Sequence, residues 1–226
     1  VRHDPRLGRA LLALALPALT IPALTIPAMT IPALTIPALA APAGTAPKGP
    51  QLPSVEQVAK IYPHLDGGTA DVESSPVPAL DEECQDGKPI KGSRLSIALY
   101  TPADPTSMAT LTRKPIVITA ALSFRSLRAA QGYYDDFADE ASSCLGLDDL
   151  TGTPDGAEVT TKRIRFRLGD ERSGGTTTLT HRKRTATSHV LLVREGRTLV
   201  LSVVIGRDNP AAKAVRLART TLAAAL

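Results

Sequence analysis

HVLLVREGRTLVLSVVIGRDNPAAKAVRLARTTLAAAL, residues 189–226, reads as two strands followed by a helix. Ser188–Arg194 and Arg197–Gly206 are rich in Val, Leu and Ile, and the Glu195-Gly196 pair between them makes a tight turn, so the two runs are expected to pair antiparallel. Asn209-Pro210 then places a capping residue before proline at the first helical position, where a missing N–H costs nothing. Ala211, Ala214, Val215, Ala218, Leu222 and Ala225 recur at helical spacing and are expected to face the sheet. A hairpin feeding directly into a helix calls for an antiparallel sheet with helices packed on it.

Moving upstream, Thr161–Leu168 alternates Ile164, Phe166 and Leu168 with Arg163, Arg165 and Arg167, the pattern of a strand with one dry and one wet face. Thr176–Lys183 is a further expected strand, and Gly169–Gly175 (GDERSGG) the hairpin loop between the two. Leu127, Ala130, Tyr134, Phe137, Ala141 and Cys144 form a helical stripe ending in a buried cysteine, with Asp135, Asp136, Asp139 and Glu140 off it. Pro115–Phe124 and Arg94–Tyr100 read as strands, and the stretch from Gly67 to Gly92, which holds Cys84, as an acidic loop. Ser54-Val55-Glu56-Gln57 has the form of a capping box, with Val55, Val58, Ala59 and Tyr62 on one short helical face. The expected fold is therefore α+β, an antiparallel sheet of about six strands with helices packed on it, in the order α-β-β-α-β-β-β-β-α.

The first forty residues do not belong to that domain. A basic segment, residues 2–9, precedes the apolar run Ala10–Leu16, the order of a secretion signal, and Ala38-Leu39-Ala40 supplies a small-x-small cleavage site before Ala41. Between them a five-residue period repeats prolines at 17, 22, 27, 32 and 37. Each proline inside a helix costs about 3 kcal/mol, which argues against a straight membrane-spanning helix; an uncleaved N-terminal anchor is the alternative reading of the segment. The expected organisation is a signal segment at 1–40, a Pro-rich flexible linker at 41–53 and one domain at 54–226, with no stable membrane span after cleavage. Export would deliver Cys84 and Cys144 to an oxidising compartment, where one intramolecular disulfide is expected; free buried thiols or an intermolecular bridge are the alternatives. Closing a loop of about sixty residues contributes on the order of 4 kcal/mol in the chain-entropy model.

The formal charge of the chain is +4, but it is unevenly spread. Residues 41–158 carry 9 basic and 17 acidic side chains, and residues 159–226 carry 14 basic and 4 acidic. The two halves neutralise each other on folding unless the basic half keeps a partner. Within that half, Arg163, Arg165 and Arg167 on one strand face and Arg182, Lys183 and Arg184 on or beside the next would form a patch for phosphate, sulfate or carboxylate if the strands are neighbours. The candidate anion-binding residues are Arg163, Arg165, Arg167, Arg182 and Arg184. Nucleic acid is not an expected partner, because Tyr100, Tyr133 and Tyr134 lie elsewhere in the sequence and Trp is absent.

Signals for catalysis are missing. Neither a nucleophile elbow nor a phosphate-binding loop occurs, and His64, His181 and His189 do not fall in a metal-ligating spacing. No C-x-x-C pair is present to tune a redox thiol, and the acids of the long helix read as its solvated face. No catalytic residue, metal or cofactor is expected.

The segment ALSFRSLRAAQGYYDDFADEASSC (Ala121–Cys144), a strand ending in F-x-S and a helix closing on Cys, together with the hairpin and helix of residues 189–226, resembles the PknH-like extracellular sensor domain family of actinobacteria. The likeness spans most of residues 52–226 and rests on loose spacings. It implies an extracytoplasmic sheet-and-helix domain with a cleft for a small ligand and no catalytic role. The chain departs from the family pattern in having one cysteine pair rather than two, no Trp and no kinase domain. The resulting expectation is a secreted, non-enzymatic, sensor-like binding module of the cell envelope that takes a small or anionic envelope ligand. A small secreted hydrolase and an envelope interaction domain without a small ligand are the alternatives.

Overall fold

The computed structural model describes residues 49–80, 86–104, 114–144, 157–182, 184–207 and 209–226. The signal segment, most of the linker and Cys84 lie outside the described residues, as does the side chain of Cys144, and with them the expected disulfide.

Helix α1 (Val55–Ala59) starts at the capping box read from the sequence: the Gln57 amide donates to the Ser54 hydroxyl at 3.4 Å, and the Ser54 amide to the Gln57 side chain at 2.8 Å. A 3₁₀ turn at Pro63–Leu65 follows. Among the described residues nine strands come next in chain order, interrupted by one helix: β1 (Thr69–Ser75), β2 (Pro78–Leu80), β3 (Asp86–Pro89), β4 (Arg94–Thr101), β5 (Ile116–Ser123), α2 (Leu127–Cys144), β6 (Glu158–Arg163), β7 (Glu171–His181), β8 (Arg184–Glu195) and β9 (Thr198–Gly206). Helix α3 (Ala211–Ala225) closes the chain.

Seven strands make one sheet in the order β1-β4-β5-β9-β8-β7-β6, and β2 pairs with β3 separately. Every neighbouring pair is antiparallel. The expected six strands thus become a sheet of seven, because β1, which the sequence reads as loop, pairs along its whole length with β4 from Thr69↔Thr101 to Ser75↔Leu95. Its side chains are exposed but for Ala70, so it carries no apolar alternation.

The sheet is the middle of three layers. On one face, Val58, Tyr62 and Leu65 join Ala214, Leu217, Ala218 and Leu222 of α3 over Tyr100, Val117, Leu191, Val193, Val200 and Val204. On the other, Ala130 and Tyr134 of α2, with Val77 and Phe124, cover Ala120, Leu122, Leu192 and Leu199. The central strands are therefore apolar on both sides, and β8 runs buried from Leu191 through Arg194. Each fully buried Leu or Val contributes roughly 1.5–3 kcal/mol, so the two cores are the main stabilising term.

Several local expectations shift. Leu127, placed on the buried stripe of α2, is 52% exposed. The α3 stripe turns to bury Leu217 and Thr221, while Val215 and Ala225 stay half-buried. Pro210 itself is the N-cap of α3 and makes no side-chain cap. Asn209 is instead drawn inward, its carboxamide accepting from Tyr62 Oη at 3.4 Å. The β8–β9 turn sits one residue later than expected, with Glu195 opposite Thr198 and Gly196 at φ +55°.

Candidate anion-binding groove

The expected strand Thr161–Leu168 stops halfway. β6 pairs with β7 from Glu158↔Thr180 to Arg163↔Gly175, and the Ile164 amide donates one last bond to the Gly174 carbonyl at 2.8 Å. Beyond it, residues 164–168 leave the ladder and cross the end of the sheet. Their alternation survives without hydrogen-bonded pairing: Ile164, Phe166 and Leu168 are half-buried against the α3-side core, and Arg163, Arg165 and Arg167 are exposed. Phe166 lies over Gly174, where an added Cβ would come within 2.9 Å of its ring. Arg172 Nε donates to the Phe166 carbonyl at 2.8 Å and ties the crossing segment to β7.

The segment returns to the sheet through a glycine. Gly169 takes φ +62°, and a Cβ on it would fall 2.5 Å from the Arg194 carbonyl oxygen. The Asp170 amide then donates to that same oxygen at 2.8 Å, and β7 begins at Glu171. GDERSGG is thus no hairpin loop: Gly169-Asp170 is a bend, and the remainder is the start of a long strand.

Where β6 parts from β7, a groove of about 690 Å³ opens around the freed edge, lined by Tyr134 and Asp135 of α2, the run Arg163–Arg167 and the run Asp170–Gly174. Four exposed arginines line it: 163, 165, 167 and 172. Its acids are Asp135, Asp170 and Glu171. Two of these are engaged by Arg194, which is 6% exposed. Arg194 Nε donates to Glu171 Oε2 at 2.5 Å, and its Nη1 to Asp170 Oδ2 at 3.2 Å and to the Gly196 carbonyl at 2.9 Å. The Gly196 amide adds a bond to Asp170 Oδ2 at 2.9 Å. The hydrogen bond to Glu171, outweighing desolvation, raises the Arg194 pKa further, so the guanidinium stays charged. The field in the groove is consequently that of arginines facing one uncommitted carboxylate, Asp135. Tyr134 sits beneath; burial first, then Glu171 and Asp135, push its phenol up against the opposing pull of Arg163 and Arg172. It remains a neutral hydroxyl, able to donate to an anion.

The structure therefore brings Arg163, Arg165 and Arg167 together and leaves Arg182 and Arg184 out. Arg182 lies in the β7–β8 turn and Arg184 in its closing pair with His181, six residues along β7 from the Arg163↔Gly175 rung and so roughly 20 Å away. Sequence reasoning missed Arg172, Tyr134 and the acid-binding role of Arg194. Arg172 was detectable, since ERS continues the strand alternation once GDERSGG is not taken as a loop.

Two of the described histidines are engaged within the fold. His189 is 3% exposed, its ring hydrogen-bonded to Thr176 Oγ1 at 2.9 Å and to the Asn209 carbonyl at 2.6 Å. His64 bonds the Pro115 carbonyl at 2.9 Å. Among the described residues no group of three or more His, Cys, Asp or Glu is placed to hold a metal ion. No helix of the described residues is long and apolar enough to cross a membrane.

No protein-family model matches the sequence, and no curated protein matches it. Three solved structures to which the chain is similar are mycobacterial. The extracellular domain of PknH from Mycobacterium tuberculosis is 11% identical, over 76% of this chain and 96% of that one, with a TM-score of 0.44. An uncharacterized protein of Mycobacterium smegmatis, the Rv0999 ortholog, is 12% identical over 78% and 98%, with a TM-score of 0.35. LpqN of M. tuberculosis, described as involved in cell envelope biogenesis, is 13% identical over 66% and 87%, with a TM-score of 0.22. The PknH extracellular domain, to whose family residues 121–144 and 189–226 bear their resemblance, thus stands among the structures similar to this chain.

Proposed function

We propose that the chain is an exported, non-enzymatic binding module of the bacterial cell envelope whose groove takes an anionic group, a phosphate, sulfate or carboxylate. The observation that carries this reading is the meeting of four arginines at one groove while Arg194 engages two of its three carboxylates. Guanidinium forks suit such oxyanions because two parallel N–H donors match two oxygens. Arg165 and Arg167 ride on a segment anchored at both ends, by the Ile164 amide and by the Asp170 amide. Little ordering is therefore left for a ligand to impose. Being open to solvent, the site is expected to bind in a salt-sensitive way. The non-enzymatic part of the reading is supported by His189, whose pairing with the Thr176 hydroxyl is sealed in the core with its other nitrogen on a carbonyl.

Pyrophosphate is a suitable probe. Titration calorimetry at low salt should show binding that weakens at least tenfold in Arg165→Glu and fades as salt is raised. Binding that is unchanged by Arg165→Glu, or no binding at all, would retire the groove as the site.

A further inference from the structure

Arg182 and Arg184, excluded from the groove, occupy a feature of their own. β8 pairs with β9 only as far as Thr187↔Gly206, but its pairing with β7 runs on through Ala186↔Leu179 and Thr185↔Thr180 to His181↔Arg184. The β7–β8 hairpin therefore stands roughly 10 Å proud of β9 at this end. One of its faces is hydroxylic, with Thr178, Thr180, Thr185 and Thr187 sharing it by register, and the other carries Arg184 with His181, Leu179 and Ala186. Both arginines are exposed, and the acidic residue that the register brings nearest is Glu158, opposite Thr180.

The turn opens on an unusual residue. Two-residue hairpin loops need positive φ at their first residue and are filled by Asn or Gly there. Arg182 holds that place at φ +46°, and among the described residues it is the one residue other than glycine with positive φ. A side chain with a Cβ adopts this conformation only at a cost in stability, and such strain points to a use for the side chain.

We propose that the β7–β8 tip is a cationic foot that rests on an anionic lipid surface. A projecting tip offers no concavity to enclose a small anion, but it can meet a flat field of headgroups with both guanidinium groups. On the hydroxylic face Thr180 and Thr185 bond each other at 3.4 Å, and the one large apolar residue near the tip, Leu179, is half-buried, so charge is what the tip has to offer. This site is separate from the groove and stands or falls independently of it.

The test uses the full chain in co-sedimentation with vesicles of phosphatidylcholine and phosphatidylglycerol, with pure phosphatidylcholine as the measure of charge-independent association. Arg182→Asn removes the charge and suits the positive φ; Arg184→Ser removes the second charge. Each is expected to weaken the phosphatidylglycerol-dependent binding about fivefold, and the pair about 25-fold. Arg182→Asn should also melt at or slightly above the wild-type temperature, by up to about 3 °C, because asparagine tolerates the left-handed backbone better. Charge-dependent vesicle binding that survives both changes, or that is lost only in Arg165→Glu, overturns the proposal. So does a dependence on Arg182 and Arg184 seen with heparin in solution but not with vesicles. A clearly lower melting temperature for Arg182→Asn overturns the claim that the turn bears strain for the sake of its charge.

Discussion

Arg194→Leu removes the group that holds two carboxylates back from the groove. The loss can be worked from its three hydrogen bonds. The bond to Glu171, whose side chain is 29% exposed, is charge-assisted and short, and is worth about 2 kcal/mol. The one to Asp170, a side chain 49% exposed, is screened to about 0.5 kcal/mol or less because water replaces the lost partner. The Gly196 carbonyl adds about 1 kcal/mol. Leucine recovers part of the apolar contact of the arginine stem, so the net destabilisation is expected at about 2–3 kcal/mol, a fall in melting temperature of about 5–12 °C. Urea unfolding should show a lower midpoint at unchanged slope. Glu171→Gln, costly alone, should be close to silent in the Arg194→Leu background, giving a coupling energy of about 1–2 kcal/mol in a double-mutant cycle. Pyrophosphate affinity should fall as well, since the released acids oppose the anion. A loss below about 1 kcal/mol, or additivity of the two changes, would refute the argument that Arg194 shapes the charge of the groove.

Gly169→Ala forces a Cβ to within 2.5 Å of the Arg194 carbonyl oxygen at φ +62°, and should cost about 2 kcal/mol or more while displacing the arginine-bearing segment; wild-type melting and pyrophosphate binding would contradict this. Burial holds the His64 imidazole below its ordinary range, against the opposing Pro115 carbonyl and with help from Lys114 and Lys213. The unfolded chain takes up this proton near pH 6.5 and the folded chain only at lower pH, so the fold loses stability as pH falls from about 6.5 through the folded value. His64→Gln should show a shallower decline over that interval, and parallel stability curves for the two proteins would exclude the linkage. Tyr100 Oη donates to the Pro53 carbonyl at 2.7 Å and lies 3.2 Å from Thr119 Oγ1, so Tyr100→Phe should cost about 1–2 kcal/mol in chemical denaturation, and no loss would show that this buried bond is idle.

How much of this was legible depends on what burial writes into side chains. β4, β5 and α2 are found within a residue or two of where their apolar periodicity puts them, and β9 and α3 likewise, because each presents an apolar face to one of the two cores. β1 was invisible for the complementary reason: Thr69–Ser75 is an edge strand held by its backbone ladder to β4, and backbone hydrogen bonds leave no mark on composition. The rotation of the α3 stripe toward Leu217 and Thr221 follows from the direction in which the helix crosses the sheet, which no single helix encodes.

The groove divides in the same way. Read alone, residues 163–168 determine that three arginines lie on the wet side of an extended segment, since alternation is a local property of the chain and holds whether or not a neighbour is hydrogen-bonded to it. Only the tertiary structure decides that the segment leaves β7 at Gly174, that Arg172 joins the cluster, that Arg182 and Arg184 go to the opposite end of β7, and that a buried Arg194 engages the adjacent acids. Strand register and the path of a crossing connection are set by contacts distant in sequence, and they determine which wet faces meet.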